Sequence, residues 1–125
     1  MAGSVDLPEE GFARLPKGEP VTVLLKPNEP LAVVLADHRL HLVMDSGLAL
    51  VDAVGQRREL RAGRNIVGRD GQCDVVIDQN FKNVSRKHLL IETEGECVVR
   101  LTDISSLGTF VPCEHLAASD ARARV

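Results

Sequence analysis

Short apolar runs recur along the chain, and clusters of turn-forming residues separate them. Residues 21–25 form one such run, closed by Lys26-Pro27-Asn28-Glu29-Pro30. Residues 31–35 and 39–44 follow, joined by the tight Ala36-Asp37-His38 link. In the second of these, Leu40, Leu42 and Met44 alternate with Arg39, His41 and Val43, which is the period of a half-buried strand. After Asp45-Ser46-Gly47 the pattern restarts at 48–54, 56–60, 65–67, 75–77, 89–92, 97–101 and 109–111, with turns at Gly55, Ala62-Gly63 and Glu94-Gly95. No segment before His115 carries a helical period. The pattern predicts an all-β sandwich of about ten to eleven short strands. Residues 7–20 hold Pro8, Gly11, Pro16, Gly18 and Pro20 and read as a loop or irregular edge. Residues 1–10 read as a flexible leader and 114–125 as a tail.

Composition adjusts this picture only slightly. The 125 residues suit one domain with a real core, and with three Phe and no Trp or Tyr that core must be Val, Leu and Ile. No apolar stretch is long enough to span a bilayer, and no signal peptide is evident, so a cytoplasmic location is expected. Cys73, Cys97 and Cys113 are odd in number and lack metal-ligand spacing, and are expected to be reduced thiols. The net charge of −3 speaks against general nucleic-acid binding. Its distribution is more informative. Residues 57–88 hold eight bases and four acids, while the flanking segments 1–56 and 89–125 balance at −4 and −3. A local field of this kind draws an anion to one place.

That basic segment contains the candidate chemistry. Gly68-Arg69 stands on a glycine turn, the β-branched run Val75-Val76-Ile77 follows, and Val84-Ser85-Arg86-Lys87-His88 closes it. Two guanidinium groups and a hydroxyl suit a doubly charged phosphate better than other common ligands. Taken without further context, Arg69 could equally form a surface ion pair with Asp70 or Asp74.

The blocks Gly68-Arg69, Asp74-Val75-Val76-Ile77, Val84-Ser85-Arg86-Lys87-His88 and Leu101-Thr102-Asp103-Ile104-Ser105-Ser106-Leu107-Gly108-Thr109-Phe110-Val111, in this order and near this spacing, resemble a forkhead-associated (FHA) domain. The resemblance implies a β-sandwich that recognises phosphothreonine peptides. Its partner would be a phosphothreonine-containing protein, a substrate of a serine/threonine kinase, and no cofactor, metal, membrane or nucleic acid would be needed. By the same resemblance Arg69 and Ser85 are the phosphate ligands, Arg86 is a nearby phosphate or peptide contact, and Ser106 lies near the ligand; Asn83, in the serine loop, is either a further peptide contact or a turn former. Gly68, His88 and Gly108 are structural supports. Leu107 stands where the family often has an asparagine that grips the peptide backbone. A leucine cannot make those hydrogen bonds, although it offers an apolar contact.

One departure is large. Members of the family continue for several strands beyond the Gly-Thr-Phe-Val block, whereas here only a dozen residues follow Pro112. Residues 11–44 resemble that missing part, and 48–113 resemble the family's N-terminal and central strands. The reading adopted is a circular permutation within one domain at 11–113. A strand-swapped dimer and unrelated N-terminal strands are the alternatives. The rival function is a phosphate-independent scaffold or self-association module of the same fold.

Catalysis is not expected. Gly63 and Gly68 have the P-loop interval, but Arg69 and Asp70 replace its lysine and hydroxyl residue. No nucleophile elbow precedes Ser85. His38 and His41 would face opposite sides of one strand and share no metal.

Overall fold

The computed structural model describes residues 11–94 and 97–114. The predicted leader at 1–10, the tail from 115 onward and Gly95 of the predicted turn lie outside them. Eleven strands run in chain order: β1 (Phe12–Arg14), β2 (Val21–Leu24), β3 (Leu31–Leu35), β4 (His38–Met44), β5 (Leu48–Val51), β6 (Arg57–Glu59), β7 (Arg64–Gly68), β8 (Val75–Val76), β9 (Leu89–Thr93), β10 (Val98–Asp103) and β11 (Thr109–Pro112). They form a six-stranded sheet, β1-β11-β3-β4-β5-β6, and a five-stranded sheet, β2-β10-β9-β7-β8. The described residues are therefore all-β, with their strands in two sheets, as the sequence pattern predicts.

The strands follow the apolar pattern. In β2, Val21 and Val23 are buried while Thr22 and Leu24 face out. In β4, Leu40 and Leu42 are buried between half-exposed neighbours. The inward residues of both sheets make one cluster, including Val23, Leu35, Leu42, Leu50, Val67, Ile77, Ile91 and Leu101. Within segment 7–20, read as a loop or irregular edge, β1 is an edge strand that pairs antiparallel with β11, Phe12 opposite Pro112 and Arg14 opposite Phe110. Three residues at a sheet edge give too short a period to stand out among so many turn residues.

The N-terminal strands close both sheets of their own chain. β2 pairs with β10, Val21 opposite Leu101, and β3 pairs with β11, Leu35 opposite Thr109. β4 and β5 are a hairpin joined through Asp45-Ser46-Gly47. At the same end, Cys113 N–H donates to Gly11 O at 2.7 Å, extending the contact between β1 and β11. At the opposite end lie the loops 69–74, 77–88 and 104–108, together with the β3–β4 turn and the end of β1.

The two outer strands β6 and β8 are tied across the sandwich. Arg58 reaches from β6 to donate to Val76 O at 2.9 Å and to Asp52 Oδ2 at 2.9 Å. Asp52 is buried, and its other oxygen accepts N–H bonds from Val54 and Gln56. Burial alone would raise the Asp52 carboxyl pKa; Arg58 and the backbone N–H bonds outweigh it and leave the group below its ordinary value.

Candidate functional site

Two loops cross where β7 ends. Ile77 N–H donates to Gly68 O, Arg69 N–H to Ser85 O at 3.2 Å and Asp70 N–H to Arg86 O at 3.1 Å. The crossing is so close that a Cβ on Gly68 would stand 2.0 Å from Arg86 O. Cys73, buried beneath it, donates its thiol to the same carbonyl at 3.1 Å, and burial pushes that thiol above its ordinary pKa. The loop 77–88 is itself a series of tight turns: Phe81 N–H donates to Asp78 O and Val84 N–H to Phe81 O, both at 3.0 Å. Val84 is fully buried and so anchors the half-exposed Ser85 beside it.

Arg69 is half-buried. Its Nε donates to Val84 O, which fixes the plane of the guanidinium, and Gln79 donates to its main-chain oxygen. Among the described residues its terminal nitrogens have no partner. The alternative ion pair is not formed: Asp74 takes Arg61 at 2.8 Å and the Ile66 N–H at 2.9 Å, while Asp70 caps the Gln72 N–H.

His88 joins two of the loops. Its Nδ1 accepts the Ser85 N–H at 3.0 Å, which requires the proton on Nε2, and Nε2–H donates to Gly108 O at 2.8 Å. Burial holds the imidazole below its ordinary pKa; the bond to Gly108 and the charge of Asp103 oppose this, and Arg14 adds to it. The ring is thus a neutral brace.

The third loop is held from below by Asp103, which is fully buried. Its Oδ1 accepts the Ser105 hydroxyl at 2.6 Å and the Thr109 hydroxyl at 2.8 Å, and Ser105 Oγ in turn accepts the Gly108 N–H at 2.7 Å. Ser106 and Leu107 are left at the exposed crest. Ser106 N–H donates to Ser85 Oγ at 3.1 Å, so the crest leans on the serine loop.

The structure thus brings Arg69, Ser85, Ser106 and Leu107 to one end of the sandwich, with Gly68, His88 and Gly108 beneath them. Arg86 is in the same loop and exposed. Asn83 is turned aside, its amide donating to Asp37 Oδ2 at 3.1 Å in the β3–β4 turn. Beside it His38 stacks on Phe81, ring centroids 4.5 Å apart. Ala36 N–H donates to Gly108 O at 2.9 Å. Sequence reasoning did not find this turn as a part of the site. The turn comes from the far end of the chain, and only the pairing of β3 with β11 delivers it. His38 and His41 lie three residues apart in β4, on opposite faces. A cavity of about 670 Å³ lies at the other end, between Leu25, Met44, Leu48, Leu60 and Cys97, and none of the predicted site residues lines it.

At this end of the sandwich three loops converge and set the Arg69 guanidinium near the Ser85 hydroxyl, donors of the kind that can hold an anion. The family model of the FHA domain matches residues 65–122. That span covers β7 to β11 and every predicted site residue, and leaves β1 to β6 outside it. No curated protein and no solved structure matches the chain.

Proposed function

We propose that this chain is a phosphothreonine-peptide recognition module, mediating phosphorylation-dependent contact with a partner protein. The observation that carries the reading is Arg69. Its guanidinium is oriented by Val84 O while both terminal nitrogens stay open, next to Ser85 in the adjoining loop. A planar fork of two donors fits two phosphate oxygens, which an ammonium cannot copy. Ser85 and Arg86 complete the ligand set, and Ser106 and Leu107 meet the peptide. Threonine is preferred over serine where its methyl fills a small apolar pocket. The partner is a substrate of a serine/threonine kinase in a cytoplasmic setting, and the module itself performs no reaction.

We read the chain order as a circular permutation of the FHA sandwich. One feature supports this: β1 lies beside β11, Phe12 opposite Pro112, as the two arms of the hairpin that such a permutation opens.

Titration against a degenerate phosphothreonine library, with phosphoserine and unphosphorylated versions alongside, tests the function. Binding is expected for phosphothreonine alone and should weaken with salt. Arg69→Ala should reduce it about 10- to 100-fold, the size of a lost charge-assisted pair. Arg69→Lys should recover only part of that. The exposed Leu107, unable to grip a peptide backbone, favours a second reading, a phosphate-independent scaffold. A double Arg69→Ala, Ser85→Ala variant that keeps its partner would establish the scaffold and sink the reader.

A further inference from the structure

We infer that Arg14 forms an acid-reading subsite beside the phosphate position, so that the preferred ligand carries a carboxylate side chain close to its phosphothreonine. The inference rests on the phosphopeptide reading and adds a determinant of selectivity to it.

Arg14 is the last residue of β1, opposite Phe110 of β11, so the strand pairing delivers it to the loop end of the sandwich. Its side chain lies on the open face of Gly108, where a Cβ would stand 2.8 Å from Arg14 Nε and 3.1 Å from Cζ. Gly108 has φ +101°, a conformation that suits glycine. From this seat Arg14 Nη2 donates to Ser106 O at 3.5 Å, a long bond that leaves most of the five donors unused. Arg14 is exposed, and no carboxylate among the described residues lies within ion-pair distance of it.

Among the described residues the charge is uncompensated, and its one bond holds it beside the crest. Ser106 has the Ser85 hydroxyl on its N–H and Arg14 on its carbonyl, so the two approach one residue from either side. The phosphate expected at Ser85 and Arg69 therefore lies on one flank of the crest, and Arg14 serves whatever group crosses to the other. The third loop has few donors of its own to offer there. Ser105 Oγ–H is used on Asp103, the Ser106 N–H on Ser85, and Leu107 has no polar side-chain atom. A planar carboxylate is the peptide group that best fills a guanidinium fork. A basic residue at that place would be repelled.

The experiment uses one neutral phosphothreonine peptide and a scan in which a single Glu, or a single Lys, replaces each flanking residue in turn. At low salt, Glu at one position should tighten binding by about three- to fivefold, the range of a partly exposed ion pair, and Lys there should weaken it. With Arg14→Gln that ratio should fall to one while the neutral peptide binds within about twofold of the parent. Arg14→Glu should invert the preference, and thermal melts should show all variants folded. A Glu preference that survives Arg14→Gln overturns the subsite. Loss of the neutral peptide in a folded Arg14→Gln also overturns it, since Arg14 would then be a phosphate ligand. If the parent binds no phosphopeptide at all, the phosphate reading fails and the subsite falls with it. If the neutral phosphopeptide binds through Arg69 without any Glu preference, only the subsite fails.

Discussion

At position 68 a methyl group would press into the Arg86 carbonyl, its Cβ 2.0 Å from the oxygen and 2.6 Å from the carbon. Both are main-chain atoms held by the Asp70 N–H and the Cys73 thiol, so neither loop can yield cheaply. Gly68→Ala should therefore cost more than about 2 kcal/mol in denaturant unfolding. His88 makes a second residue-scale prediction. Its folded pKa is depressed, so the unfolded chain takes up the proton first as the solution is acidified. Stability is full above the ordinary imidazole value near 6.5 and declines as the pH falls from there toward the folded pKa. Denaturant melts of the parent between pH 7.5 and 5.5 should show this slope, and His88→Gln should flatten it. The types of these residues were legible in the sequence, because a Gly-Arg turn and a Ser-x-x-His spacing are local. What each touches was not. Nothing in the sequence around Asn83 points to Asp37, and nothing around Gly108 points to Arg14, because both neighbours lie more than forty residues away along the chain.

At the scale of elements, alternation served well wherever a strand had a buried face of several residues, as in β2, β4 and β10. It failed for β1, where three residues carry no usable period, and it read 48–54 as one run although β5 ends at Val51. The reason lies in Asp52, whose carboxylate accepts the Val54 and Gln56 N–H groups and turns the chain, so that the apolar Val54 is left in solvent. The same carboxylate receives Arg58, which also holds Val76 O of β8, so one ion pair orders a turn and ties together two outer strands. Both side chains are largely buried, and removing one leaves an uncompensated charge. Arg58→Ala should lower the unfolding free energy by about 3 kcal/mol and loosen β8 in amide exchange, while Arg58→Met should cost less. Surface pairs such as Arg61–Asp74 should matter far less.

For the molecule as a whole, the sequence pointed to the fold class, and strand pairing supplies what it lacked, the partners of the strands within 11–44. If the order is a permutation, it can be reversed. A chain opened at Asp45-Ser46-Gly47, with Pro112 rejoined to Phe12 through a short loop, should fold with stability near the parent's and bind the same ligand; an unfolded product would overturn the permutation. Chain order has a further bearing on synthesis. β3 is the neighbour of β11, yet Leu35 leaves the ribosome long before Thr109 does. At roughly 5–20 residues per second, that strand waits about 4–15 s with one edge open on the nascent chain. The apolar face of β3 is exposed for the same interval, as is the free edge that invites wrong partners. The reordered gene, in which β3 follows β11, shortens the wait, so the two orders should differ in soluble yield during rapid expression even where their equilibrium stabilities agree.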